Sequence, residues 1–142
     1  SSLMQAGVSY QFLTPLEQWR QTWFGSPSNS GDGADTCDYD RDGLVNLVEW
    51  GCGLDPTKPD TLQAATELVG DNFEFGYTRS VTAVNAGTGY FVEWSDTLLD
   101  PWCADRVYSE ILSDDGTLQE VLATVPVDGC RRRFVRLRVV AP

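Results

Sequence analysis

The chain has 142 residues, 10 of them basic and 21 acidic, giving a formal charge of −11, and it contains no histidine. That length suits one domain, or one domain with a small appendage, and a hydrophobic content of 42% is enough to build a real core. The acidity argues against nucleic-acid and anionic-membrane binding, and the missing histidine removes Ser-His-Asp and Cys-His nucleophiles along with every His-containing zinc site.

The first residues, Ser1, Ser2, Leu3, Met4 and Gln5, lack the basic start and apolar stretch of a signal peptide. The chain is therefore read as mature, or as part of a larger polypeptide. No apolar run reaches the ~18 residues of a transmembrane helix, so no membrane insertion is expected. Thr14 to Phe24 reads as a helix: Thr14 is a good N-cap, Pro15 suits the first helical position, and Glu17 completes a capping box. Leu16, Trp19, Trp23 and Phe24 recur at helical spacing, and Gly25 stops the run. Ser26 to Asp35 is loop composition almost throughout.

The next stretch carries chemistry. From Asp38 to Glu49 the chain matches the twelve-residue calcium loop of an EF-hand position by position. Asp38, Asp40 and Asp42 occupy positions 1, 3 and 5, and Gly43 the sharp turn at 6. Leu44 offers its carbonyl at 7, Asn46 stands at 9, and Glu49 closes the loop at 12 as a bidentate ligand. Carboxylates crowded this closely repel unless a divalent ion lies between them. Calcium fits the oxygen set better than magnesium, which dehydrates reluctantly. The competing view is an acidic solvated loop, but chance does not readily also supply Gly43, the apolar Val45 and the closing Glu49. A second helix is expected from Leu47 to Cys52, ending at Gly51 or Gly53, followed by a stiff polar connector from Asp55 to Asp60.

From about residue 65 the period becomes two. Phe73, Phe75 and Tyr77 alternate with Glu74, Gly76 and Thr78; Val121, Ala123 and Val125 share one face, as do Tyr90, Val92 and Trp94, and Val135, Leu137 and Val139. Gly70-Asp71-Asn72 and Asp114-Asp115-Gly116 are hairpin-like turn signals. Some six strands without room for crossover helices give a mainly β protein: an antiparallel β-sandwich over residues 61–142, with a small helical calcium-loop subdomain over 1–60.

Four cysteines, an even number, suit disulfides in an oxidising compartment; their scatter disfavours a four-thiolate zinc site. Cys37 abuts loop position 1 and Cys52 lies one turn past position 12, so a bridge between them is expected, with Cys103 bridged to Cys130 in the sandwich. The five tryptophans are candidate sugar platforms. Trp19, Trp23, Trp50 and Trp94 read as core positions, and Trp102, beside Pro101 and Cys103, is the candidate for a ligand. On the last strand, period two places Arg132, Phe134, Arg136 and Arg138 on one face, opposite Val135, Leu137 and Val139. That face is either a ligand surface or is neutralised by Glu93, Glu110 and Glu120 on neighbouring strands; internal pairing is the favoured outcome. No nucleophile elbow, phosphate-cradling glycine loop or defined carboxylate pair appears, so no enzymatic activity is expected.

The absence of an entering helix running straight into position 1 makes the loop resemble those of dockerins and thrombospondin type 3-like repeats, as does Gly53-Leu54-Asp55-Pro56 after it. From about residue 14 onward the chain is similar to the C-terminal modules of large secreted or surface-anchored proteins of certain Gram-negative bacteria. The matching features are Trp19 to Gly25, the calcium loop, Phe75-Gly76-Tyr77-Thr78-Arg79, Tyr90-Phe91-Val92-Glu93-Trp94-Ser95, Trp102 and Arg133 to Val139. The resemblance implies a non-catalytic module, secreted or at the cell surface, for adhesion, anchoring or attachment to a polysaccharide or another surface protein. The alternative is a carbohydrate-binding module accessory to a polysaccharide-active enzyme.

Overall fold

The structure is a computed structural model, and it describes residue 7, residues 12–61 and residues 66–142. The opening five residues and residue 65, where the period was expected to change, lie outside the described residues. Helix α1 spans Pro15–Phe24, and both capping-box bonds form: the Glu17 N–H donates to Thr14 Oγ1 at 3.3 Å and the Thr14 N–H to Glu17 Oε1 at 3.0 Å. Gly25, at φ 77°, ends it in the left-handed conformation that glycine adopts without strain. A 3-10 turn (Gly31–Gly33) leads to helix α2, Asn46–Cys52, and Gly53 ends that helix in the same way as Gly25.

The body is two antiparallel sheets, as the alternation predicts. Strands β1 (Thr66–Val69), β2 (Asn72–Ser80), β4 (Tyr108–Asp114) and β5 (Leu118–Pro126) form one sheet in the order β1-β2-β5-β4. Strands β3 (Gly89–Ser95) and β6 (Phe134–Val140) form the other. Phe75 and Tyr77 on β2 and Val121, Ala123 and Val125 on β5 bury against Val92, with Tyr90, Trp94, Val135 and Leu137 packed around them. These are the residues that period two assigns to the core face.

A short helix, α3 (Val81–Asn85), interrupts the path from β2 to β3, capped by the Ser80 hydroxyl. It was not expected. Its Ala83 packs with Leu16 of α1 and Trp50 of α2, so the helical end draws on chain from both sides of residue 60. Helix α2 also lies against both sheets. The Tyr90 hydroxyl donates to the Gly51 carbonyl at 2.6 Å, Thr78 Oγ1 to the Cys52 carbonyl at 2.9 Å, and Trp50 Nε1 to Thr88 Oγ1 at 3.1 Å. Gly51 permits this approach, since a Cβ there would stand 2.9 Å from Val139 Cγ1.

Candidate metal centre

The loop from Asp38 to Glu49 is built by its own carboxylates. Asp38 accepts the N–H groups of Gly43 at 2.9 Å and Asp42 at 3.2 Å, and Asp42 Oδ1 accepts that of Leu44 at 2.8 Å. Gly43 turns the chain at φ 91°, where a side chain would be strained. The loop is then tied to the first turn of α2, whose preceding residue Val45 supplies no side-chain cap. The Asn46 N–H reaches the Cys37 carbonyl at 2.8 Å and the Leu47 N–H reaches that of Asp35 at 3.1 Å, which satisfies donors a helix start leaves open. Asp35 is held in turn by the buried Arg20 of α1 at 2.8 Å. From the far side, the Asp60 N–H donates to Asp42 Oδ2 at 2.9 Å and folds the connector back onto the loop.

This scaffold brings ligand oxygens of Asp38, Asp40, Asp42 and Glu49 within 4.8 Å of one another. Glu49 is fully buried, and neither of its carboxylate oxygens has a hydrogen-bond partner among the described residues; Asp40 Oδ2 is likewise shielded and unpartnered. Burying a carboxylate without a donor costs several kcal/mol, on the order of a lost hydrogen bond per oxygen or more. The strain appears in the acidities. Burial, followed by the charges of Asp40, Asp42, Asp38 and Asp55, pushes the Glu49 carboxyl up to about 8. Asp40 is also raised, by burial and then by Asp42. Burial pushes Asp42 upward too, but the N–H groups of Asp60 and Leu44 and a bond with Asp40 more than offset it and leave that carboxyl lowered.

A hard cation resolves this arrangement, and the all-oxygen donor set fits one. The acidic cluster could hold a metal ion. Of the other predicted ligands, Leu44 sits at position 7 beside Asp42. Asn46 is buried, with Nδ2 donating to the carbonyls of Asp32 at 2.7 Å and Ala34 at 2.8 Å and Oδ1 left unpartnered.

The structure corrects the cysteine expectation, because all four cysteines are free thiols. What the loop closes onto its first residue is Glu49. The Cys37 carbonyl accepts the Asn46 N–H, and Cys52, at the end of α2, is buried, with its carbonyl accepting from Thr78 of β2. Cys103 is bridged instead by backbone to Trp94, and Cys130 Sγ accepts from Arg133 Nη2 at 3.1 Å.

Among the tryptophans, Trp50 is buried and Trp19 and Trp94 pack against the cores, but Trp23, expected in the core, is 38% exposed. Two arginines of the predicted face are paired with one carboxylate. Arg136 and Arg138 both bond Glu93 of β3, at 3.0 and 3.1 Å, and Glu93 is 8% exposed. Burial would raise the Glu93 carboxyl, but the Arg138 and Arg136 hydrogen bonds outweigh it and hold it below its ordinary value. Glu110 and Glu120 lie on the other sheet, on β4 and β5, and take no part. Arg136 also covers the Trp102 ring at 4.2 Å and Arg138 the Phe91 ring at 4.5 Å. Arg132 is exposed ahead of β6, and Phe134 is half-buried at its start.

Arg133, absent from the predicted face, is the most engaged arginine. It stacks on Trp94 at 3.8 Å, pairs with Asp96 at 2.7 Å and Asp128 at 3.2 Å, and donates to the Pro126 carbonyl. Only its place in the run Arg131-Arg132-Arg133 hinted at salt pairing. Comparison with protein families, with characterised proteins and with solved structures finds no match to this chain.

Proposed function

We propose that this chain is a calcium-stabilised, non-catalytic extracellular module that serves adhesion, anchoring or attachment at the end of a larger secreted protein. The observation that carries the calcium assignment is the buried Glu49 carboxylate, both oxygens without a donor among the described residues, grouped with those of Asp38, Asp40 and Asp42. Calcium takes six to eight oxygens and tolerates irregular geometry. It would engage these four carboxylates, the Leu44 carbonyl and Asn46. Its role is architectural: α2 presents Glu49 to the ion and its last residues to the sandwich, so closing the loop fixes the helix that joins the two.

The attachment role is supported by the resemblance in loop and strand motifs. Modules of this kind work where calcium is abundant, and loops of this type reach down to affinities of about 10⁻⁴–10⁻³ M in extracellular proteins. The test is a pair of thermal melts, with calcium and with chelator, beside a calorimetric titration. A calcium-dependent rise in melting temperature at one ion per chain supports the assignment, and superimposable melts refute it. Retention on immobilised polysaccharides and surface proteins, with and without calcium, tests the attachment role. The carbohydrate-binding alternative draws on one observation, the arginine and aromatic face of β3 and β6.

A further inference from the structure

We propose that the outer face of the β3–β6 sheet binds a linear carboxylated polysaccharide, a polyuronate, through the guanidinium forks of Arg136 and Arg138. This deepens the attachment reading and rests on it for the idea that the module holds a ligand, but it makes no use of the calcium loop.

The charges on this face do not cancel. Two guanidiniums meet one carboxylate, and every contact they make with Glu93 falls on the same oxygen: Arg136 Nε at 3.1 Å and Nη2 at 3.0 Å, and Arg138 Nε at 3.1 Å, all to Oε1. Arg138 therefore keeps both terminal nitrogens, and Arg136 one, without a hydrogen bond among the described residues. Their side chains are 45% and 39% exposed, so those donors face solvent. Arg132, two residues before the strand, is exposed and makes no ion pair among the described residues.

The forks are also held in place. Stacking on Trp102 and Phe91 and bonding to a nearly buried carboxylate fix two long side chains that would otherwise lose rotamer entropy on binding. A planar fork with parallel donors matches a carboxylate in bidentate fashion. Neutral sugars are poorly served here, because guanidiniums already cover the ring faces that would stack on a pyranose.

The shape selects a narrow polymer. Arg136 and Arg138 are two strand positions apart, about 7 Å along the sheet face. The rest of the chain is strongly acidic, at −11 overall. A broad acidic protein surface would be repelled beyond this strip, whereas a single polysaccharide chain lies along it and presents a carboxylate to each fork in turn.

The experiment is calorimetric titration of the full chain with short oligogalacturonates at low ionic strength, with calcium at one fixed concentration in cell and syringe. Wild type should bind, and Arg138→Gln and Arg136→Gln should each bind at least about tenfold more weakly, ~1.4 kcal/mol. Arg138→Lys should also weaken binding, since it keeps the charge and loses the fork. Arg138→Gln leaves Glu93 paired with Arg136, so the variant remains folded and should retain the full calcium-induced rise in melting temperature. No binding by wild type overturns the proposal. So does equal binding of neutral cello-oligosaccharides, or an Arg138→Lys variant equal to wild type, which would mean diffuse attraction only. Tighter binding of oligoglutamate would overturn it in favour of an acidic peptide. A wild type that binds oligogalacturonate but shows no calcium response would sink the calcium reading alone.

Discussion

Replacing Glu49 by glutamine should move stability in opposite directions with and without calcium. In the folded, metal-free chain the Glu49 carboxyl is pushed from its ordinary 4.5 to about 8 by burial and by the surrounding aspartates. A raised acid stabilises the fold fully below about 4.5, and that contribution is lost as pH rises toward 8. At pH 7 the folded side chain must hold a proton that the unfolded chain has released, which costs roughly 3 kcal/mol at ~1.4 kcal/mol per pH unit. Glutamine carries no such cost, so the variant in chelator should be more stable than wild type by up to about 3 kcal/mol. An unfolding entropy of ~2.1 cal/mol/K per residue gives ~0.3 kcal/mol/K for 142 residues. The metal-free variant should therefore melt up to ~10 °C higher. Calcium at a hundredfold excess over Kd stabilises wild type by about 2.7 kcal/mol, or ~9 °C, and glutamine, lacking the bidentate ligand, should show none of that rise. The assay is a set of thermal melts of both proteins at pH 4.5 and 7, in chelator and in calcium. A variant less stable than wild type in chelator at pH 7 would refute the electrostatic account, and a preserved calcium rise would refute the ligand assignment.

Calcium binding near pH 7 should release about one proton, because Glu49 must ionise to coordinate; an enthalpy that does not vary among buffers of different ionisation heat would contradict this. Gly51→Ala should cost about 1–3 kcal/mol by chemical denaturation, since the new methyl meets Val139 at 2.9 Å, and an unchanged midpoint would show that α2 can shift off the sheet. Arg133→Ala removes a stack on Trp94 and two ion pairs and should destabilise by about 2–3 kcal/mol, whereas Arg132→Ala should stay within about 0.5 kcal/mol. Equal effects of the two would show that neither the stack nor the ion pairs contribute.

The parts of the fold that local chemistry decides were readable in the sequence. Thr14, Pro15 and Glu17 start α1 by a bond pattern confined to four residues, and the alternation through Phe75 and Tyr77, or Val121 and Ala123, states which side chains turn inward. Alternation does not state which strand lies beside which. The division that isolates β3 and β6 from the other four strands depends on long-range pairing, and so does the choice of Glu93 over Glu110 and Glu120 as the arginines' partner. Helix α3 escaped because five residues are too short for a helical period to register. The strand β4 carries no burial signal, since every one of its residues is exposed. At the acidic cluster the spacing identified the four carboxylates, because that loop is wound by its own side chains. The cysteine pairing rested on proximity in sequence to the two ends of the loop alone, and the four thiols are free in the structure.

The docking of α2 has a consequence for how the molecule comes apart. Three successive residues, Trp50, Gly51 and Cys52, are bonded to Thr88, Tyr90 and Thr78, and the residue just before them is Glu49. Opening the loop therefore pulls on strands of both sheets, and fraying of those strands releases the loop. Local and global unfolding converge on a single cooperative unit, a foldon that spans the acidic loop and the sandwich. Amide protons in the middle of β2 and β3 should consequently exchange at a rate set by events at Asp38 to Glu49. A nick in the exposed stretch from Thr57 to Pro59 should leave the two fragments associated.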